Sequence, residues 1–318
     1  MKGSGMKRKR KVVMAAAAAA AVLILFLWSP LSNYPVSLAV MKVYSGIHER
    51  ESIMAEKGIA LNIPGGSVTE ETDWYPFVMT FNDSDGFRRF LRQTEQSGQT
   101  AQADYSDLEL TILYNFSAFD VPRGCSRLYD PSSPYYNGFY GAYLVSGQVT
   151  EGDSSRHPWG FTGDGQLDTA STALVPQFDF QNLVLGDMGI DRSRMVFQWE
   201  LISTEENVSY AGSDGWSRAD AALTVNGVFH KKEEYHQSYL QYGPPGKYPA
   251  SGKNSEPEKM AERSDFVPVD FAPVDMKGRV YGKYFRQWDT SVFFYVLAAD
   301  EDVLERCDDG ILSQSRLS

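Results

Sequence analysis

Apolar and polar positions alternate strictly along two stretches of the chain. In DLELTILYNF, Leu108, Leu110, Ile112, Tyr114 and Phe116 occupy every second position, with Glu109, Thr111 and Asn115 between them. In RMVFQWELIS the same period puts Met195, Phe197, Trp199 and Leu201 inward and Gln198 and Glu200 outward. A period of two predicts strands buried on one face. YPFVMTF at 75–81 and SVFFYVLAA at 291–299 are unbroken apolar runs of strand length, which predicts strands covered on both faces.

Helical spacing follows each of these runs. After the first, Phe87, Phe90, Leu91 and Thr94 recur at three- and four-residue intervals, with Ser84 as cap and Gly98 as stop. After the second, DEDVLERCDDG starts with acids, as a helix N-terminus favours, and closes on Gly310. Residues 241–265 are rich in proline, glycine and charge and read as a loop or linker. With no internal repeat, the pattern predicts an α+β fold of mainly antiparallel sheet with a few helices.

The segment SSPYYNGFYGAYLVSG is the most aromatic stretch. Ser133 as N-cap and Pro134 at the first turn predict a helix to about Ser146, with Tyr135, Phe139 and Tyr143 on one stripe and Tyr136 and Tyr140 beside it. The opposite face would carry Gly138, Gly141 and Ala142. Two interior glycines cost such a helix about 1 kcal/mol each, so a strand over FYGAYLV is the alternative. Rings at regular spacing belong in a core; as a ligand platform, these five are the residues that would bind a sugar or a protein.

The N-terminus changes the picture from a domain to an anchored domain. Lys2, Lys7, Arg8, Lys9, Arg10 and Lys11 precede the apolar run Val12–Trp28. The expected organisation is a cytoplasmic basic tail (1–11), one transmembrane helix (12–28), a juxtamembrane segment (29–45) and an extracytoplasmic domain (46–318), oriented by the positive-inside rule. A cleaved signal peptide is the competing reading, but bulky Leu25, Phe26, Leu27 and Trp28 fill the region where small residues would mark a cleavage site.

Charge narrows the partners. Six of the 30 basic residues lie before the apolar run, leaving 24 against 41 acids, a formal −17 for the exported part. That charge argues against nucleic acid and anionic lipid surfaces as partners, because phosphate binding needs clustered cations. Cys125 and Cys307 are the only cysteines. Outside the cytoplasm they either form a disulfide or stand as two separate thiols.

Candidate chemistry is sparse. Asp83 and Asp85 in NDSDG follow a strand, as metal-binding carboxylates of nucleotide-sugar glycosyltransferases do, but only about 45 residues separate them from the anchor, too few for the nucleotide-binding units that should come first. An acidic helix start is the preferred reading of the pair. Drawn as a strand, HKKEEYH puts His230, Glu234 and His236 on one face, a set that could hold zinc or another divalent metal as cofactor. GDGQLD at 163–168 fails the calcium-loop pattern and reads as a tight turn. Neither a nucleophile elbow nor a zinc-hydrolase signature is present. The expected function is a membrane-anchored binding module for an envelope protein or glycan; the rival is a metal-dependent extracytoplasmic enzyme, glycosyltransferase-like or a hydrolase.

Overall fold

The computed structural model describes residues 13–14, 17–26, 43, 46–63, 76–81, 90, 103–104, 107–115, 119–120, 125–126, 138–151, 155–181, 194–226 and 272–318. Seven strands form its main sheet: β1 (Pro76–Phe81), β2 (Glu109–Asn115), β3 (Gly138–Ser146), β4 (Phe197–Tyr210), β5 (Ser213–Asn226), β6 (Pro273–Phe285) and β7 (Thr290–Ala298). Their order is β4-β5-β6-β7-β3-β2-β1, and every neighbouring pair is antiparallel. Two meanders, β1 to β3 and β4 to β7, are thus joined where the last strand pairs with β3. The α+β expectation holds.

Among the described residues, three helices lie beside the sheet: α1 (Ile53–Lys57), α2 (Thr169–Asp179) and α3 (Glu301–Gly310). Alternate residues of β7 serve opposite faces. Phe293 and Tyr295 meet the α2 layer, where Tyr295 donates to Asp179. Phe294 packs on Tyr210 and Trp216 on the other side, where α3 buries Leu304 and Cys307. α1 joins that second side through Ile53 N–H, which donates to Thr111 Oγ1 at 3.1 Å. Leu61–Asn62 then pairs with Arg316–Leu317, so the segment after α1 is stitched to the C-terminus.

β7 is buried along its whole length, as an unbroken apolar run requires. β2 departs from expectation. Leu110 and Ile112 are buried, but so are Thr111 and Leu113, because α1 covers the face predicted to meet solvent. β4 is correctly placed, with Gln198 and Glu200 exposed, although Leu201 is not inward.

The predicted helix from Ser133 to Ser146 is corrected to a strand over its described part, Gly138–Ser146. Pairing with both β2 and β7 outweighs a local cap signal. Gly141 explains why glycine stands in mid-strand: a Cβ there would lie 2.6 Å from the Tyr295 hydroxyl and 2.9 Å from the Leu113 carbonyl oxygen. The Tyr295 ring lies across this bare backbone on its way to Asp179.

Among the described residues no helix is long and apolar enough to cross a membrane. Residues 17–26 are helical and exposed, and Phe90, buried against Phe178 at 4.9 Å between ring centres, is the only described residue between 82 and 100. The 241–265 segment lies outside the described residues.

Candidate functional site

Among the described residues, one polar point of the interior is made by a helix that carries an acid on its core-facing side. α3 starts at Asp300, whose side chain accepts from Val303 N–H at 2.9 Å. Its inward positions are then Leu304, Cys307, Asp308 and Ile311 at helical spacing. Asp308 is 1% exposed and accepts three hydrogen bonds. Tyr210 donates to Oδ1 at 2.7 Å; Tyr281 and Arg279 Nη1 donate to Oδ2 at 2.9 and 3.0 Å.

Burial raises the Asp308 carboxyl above its ordinary range, while the three donors oppose the shift. The same burial, with Asp308 beside them, pushes both tyrosines up and keeps them protonated donors. Their rings stack at 3.6 Å between centres, tilted by 11°. Arg279 also reaches Asp220 and, at 3.0 Å, Glu301, and Arg218 links Asp220 at 3.0 Å to Glu205 at 3.2 Å. An alternating ladder of charge therefore runs from α3 across the sheet to β4. Satisfied on both oxygens, Asp308 acts as a buttress that fixes α3 on the sheet.

The other face holds a second buried acid. Asp179 ends α2 and accepts from Tyr295 Oη, while Tyr143 Oη donates to the Thr172 carbonyl at 3.0 Å. Tyr143 stacks on Phe293 at 4.6 Å with an 18° tilt. Asp168 caps the start of α2 by accepting from Ala170 and Ser171 N–H at 3.1 and 3.4 Å. The preceding residues close the tight turn expected of GDGQLD, with Gly165 N–H donating to Thr162 O at 2.9 Å.

The edge of the sheet is different. β4 is its terminal strand, and residues 200–207 are all exposed, including Leu201 at 45% and Ile202 at 60%. Its pairing with β5 is regular from Phe197 to Leu201 and from Ser203 to Glu205, and skips Ile202 and the Glu206–Asn207 pair. These are bulges, each leaving extra residues on β4. The hairpin closes on Ala211 and Gly212, both at positive φ, a two-residue turn of the kind that matches strand twist. Among the described residues this strand offers the largest exposed apolar side chains of the domain's sheet.

The sequence candidates scatter. Phe139, Tyr140 and Tyr143 are in the core on β3, pointing to alternate faces, so they form no exposed platform; Tyr135 and Tyr136 lie outside the described residues. Asp83, Asp85, His230, Glu234 and His236 also lie outside them. Among the described residues no group of three His, Cys, Asp or Glu is arranged to hold a metal ion. Of the two expectations for the cysteines, Cys307 stands as a free thiol, buried on the inner side of α3, and burial raises it far from thiolate character. His48 bonds to Thr80 Oγ1 at 3.0 Å, and His157 is buried beside the Pro158 carbonyl.

Sequence reasoning missed Asp308, Arg279, Tyr210 and Tyr281. One signal for them was available, an acid at a core position of the 304, 307, 308, 311 stripe. The edge had one too, since Leu201-Ile202 breaks the alternation that precedes it. Comparison with protein-family models, with curated proteins and with solved structures returned no match.

Proposed function

We propose that the chain is a single-pass, membrane-anchored protein whose α+β domain stands outside the cytoplasm and serves as an interaction module for a partner in the cell envelope. The observation that carries this reading is the N-terminal pattern: six cations, then an apolar run whose residues 17–26 are helical with Val22, Leu23, Ile24 and Leu25 between 56 and 71% exposed. Such a run is stable in lipid and costly in water. Recognition is favoured over catalysis because the interior acids Asp308 and Asp179 accept hydrogen bonds from tyrosines of the fold itself, while Leu201 and Ile202 stand exposed on the sheet edge.

The test is carbonate extraction of membranes from a bacterial host expressing the full chain, followed by protease added to spheroplasts. The reading expects the intact chain, with residues 12–28 retained by mass spectrometry, to stay in the pellet and its domain to be digested from outside. Release of the chain by carbonate, or a domain protected until the membrane is lysed, contradicts it.

A further inference from the structure

We propose that the outer edge of β4 is where this module takes its partner, and that the occupant is a basic polypeptide segment, added in extended form as an eighth strand. The proposal rests on the interaction-module reading above and gives it a place and a chemistry.

A terminal strand turns half of its backbone N–H and C=O groups away from the sheet, and an extended peptide completes them at little conformational cost to the host. In β4 the eight residues 200–207 are exposed in succession, whereas a strand covered on one face would hide every second one. Leu201 and Ile202 supply apolar contact at the middle of the strand. Around them stand Glu200 and Glu206, with Glu205 bridged to Arg218 on β5, and the strand itself contains no lysine, arginine or histidine.

Charge decides between occupants. A second copy pairing about a two-fold axis would bring this acidic row against itself, and like charges across a strand pair are destabilising. Anionic lipid and nucleic acid meet the same repulsion. A segment with lysine or arginine on alternate positions meets complementary charge instead. Bulges and acids on an edge also guard against promiscuous pairing. Here the bulges leave two regular stretches, Phe197–Leu201 and Ser203–Glu205, so a register is still available to a segment of about nine residues, roughly 30 Å long.

The experiment is fluorescence anisotropy on the full chain in detergent micelles, with a labelled nine-residue peptide alternating lysine and valine. Controls are the same peptide with glutamate for lysine, and with alternate backbone nitrogens methylated so that it cannot join the ladder. The lysine peptide is expected to bind at least tenfold tighter than the glutamate peptide and to lose at least tenfold on methylation. In the double variant Glu200→Lys/Glu206→Lys the preference reverses, with an unchanged melting temperature as the check on folding.

Equal binding of lysine and glutamate peptides, insensitivity to methylation, or an unchanged preference in the variant would each overturn the proposal. Because micelles replace the membrane, this outcome is independent of the carbonate and protease test. Failure of edge docking with correct membrane orientation removes the site and leaves the anchored module.

Discussion

β7 and β4 belong to one sheet and share its antiparallel geometry, yet they are opposite kinds of strand. β7 reads TSVFFYVLA, is buried at every position and is flanked by β6 and β3. β4 reads FQWELISTEENVSY, borders a single strand and has only Tyr210 fully buried. The difference is a matter of layers. α2 and α3 lie on the two sides of β7, and burying aromatic rings there supplies the main stabilisation, at roughly 25 cal/mol per Å² of apolar surface. α2 still reaches the start of β4, where Phe180 packs on Phe197, but over residues 200–207 every side chain is exposed, and acids and bulges replace the apolar pattern. A strand can thus be held by the core at the centre of a sheet and presented by it at the edge.

Phe293→Ala tests the sealed centre most severely. Its ring stacks on Tyr143 and lies against Gly160 and Gly282, so its loss leaves a cavity in the α2 layer. A destabilisation of about 3 to 5 kcal/mol is expected in urea unfolding. Asp308→Ala should cost a similar or slightly smaller amount, about 3 kcal/mol, because Arg279 and two tyrosine hydroxyls lose their shared acceptor. Asp308→Asn, which keeps an acceptor, should recover part of it. Loss of Phe293, which lies in the α2 layer, should leave the exposure of residues 200–205 unchanged.

Smaller effects sharpen the contrast. Asp168→Ala removes the α2 cap and is expected to lower stability by about 1 kcal/mol. Ile202→Thr, at the bulge of the open edge, should shift stability by less than about 0.5 kcal/mol in thermal melts. Glu109 at the start of β2 gives the smallest change and a sign. Its carboxyl is raised above the ordinary 4.5 by burial first and by Glu56 second. A raised carboxyl gives its full stability below the unfolded value and loses it as pH rises through the folded value. Glu109→Gln should therefore raise the melting temperature at pH 7 and leave it nearly unchanged at pH 4.

How much of this was legible depended on whether the determining contact was local. The unbroken run at 291–298 announced a doubly covered strand, and the acidic start of α3 announced its helix, because burial and capping leave marks within a few residues. Ser133-Pro134 left an equally clear mark that did not decide Gly138–Ser146, where strand pairing and the Tyr295 ring across Gly141 prevailed. Thr111 looks like a solvent position until α1, over fifty residues earlier, folds onto it. The Asp308 network joins residues from 210 to 308, so no window of sequence contains it; the interior acid on the α3 stripe was its only local trace. The edge was half legible, in the Leu201-Ile202 break.

Amide hydrogen exchange of the full chain in micelles, followed with and without the lysine-valine peptide, tests the central claim directly. β7 amides from 291 to 297 should exchange only with global unfolding. Outward amides between 200 and 205 should exchange many orders of magnitude faster and slow when the peptide is added. Uniform slow exchange along β4 before any addition, or fast exchange that the peptide leaves unchanged, would contradict the account of an open edge that receives a partner.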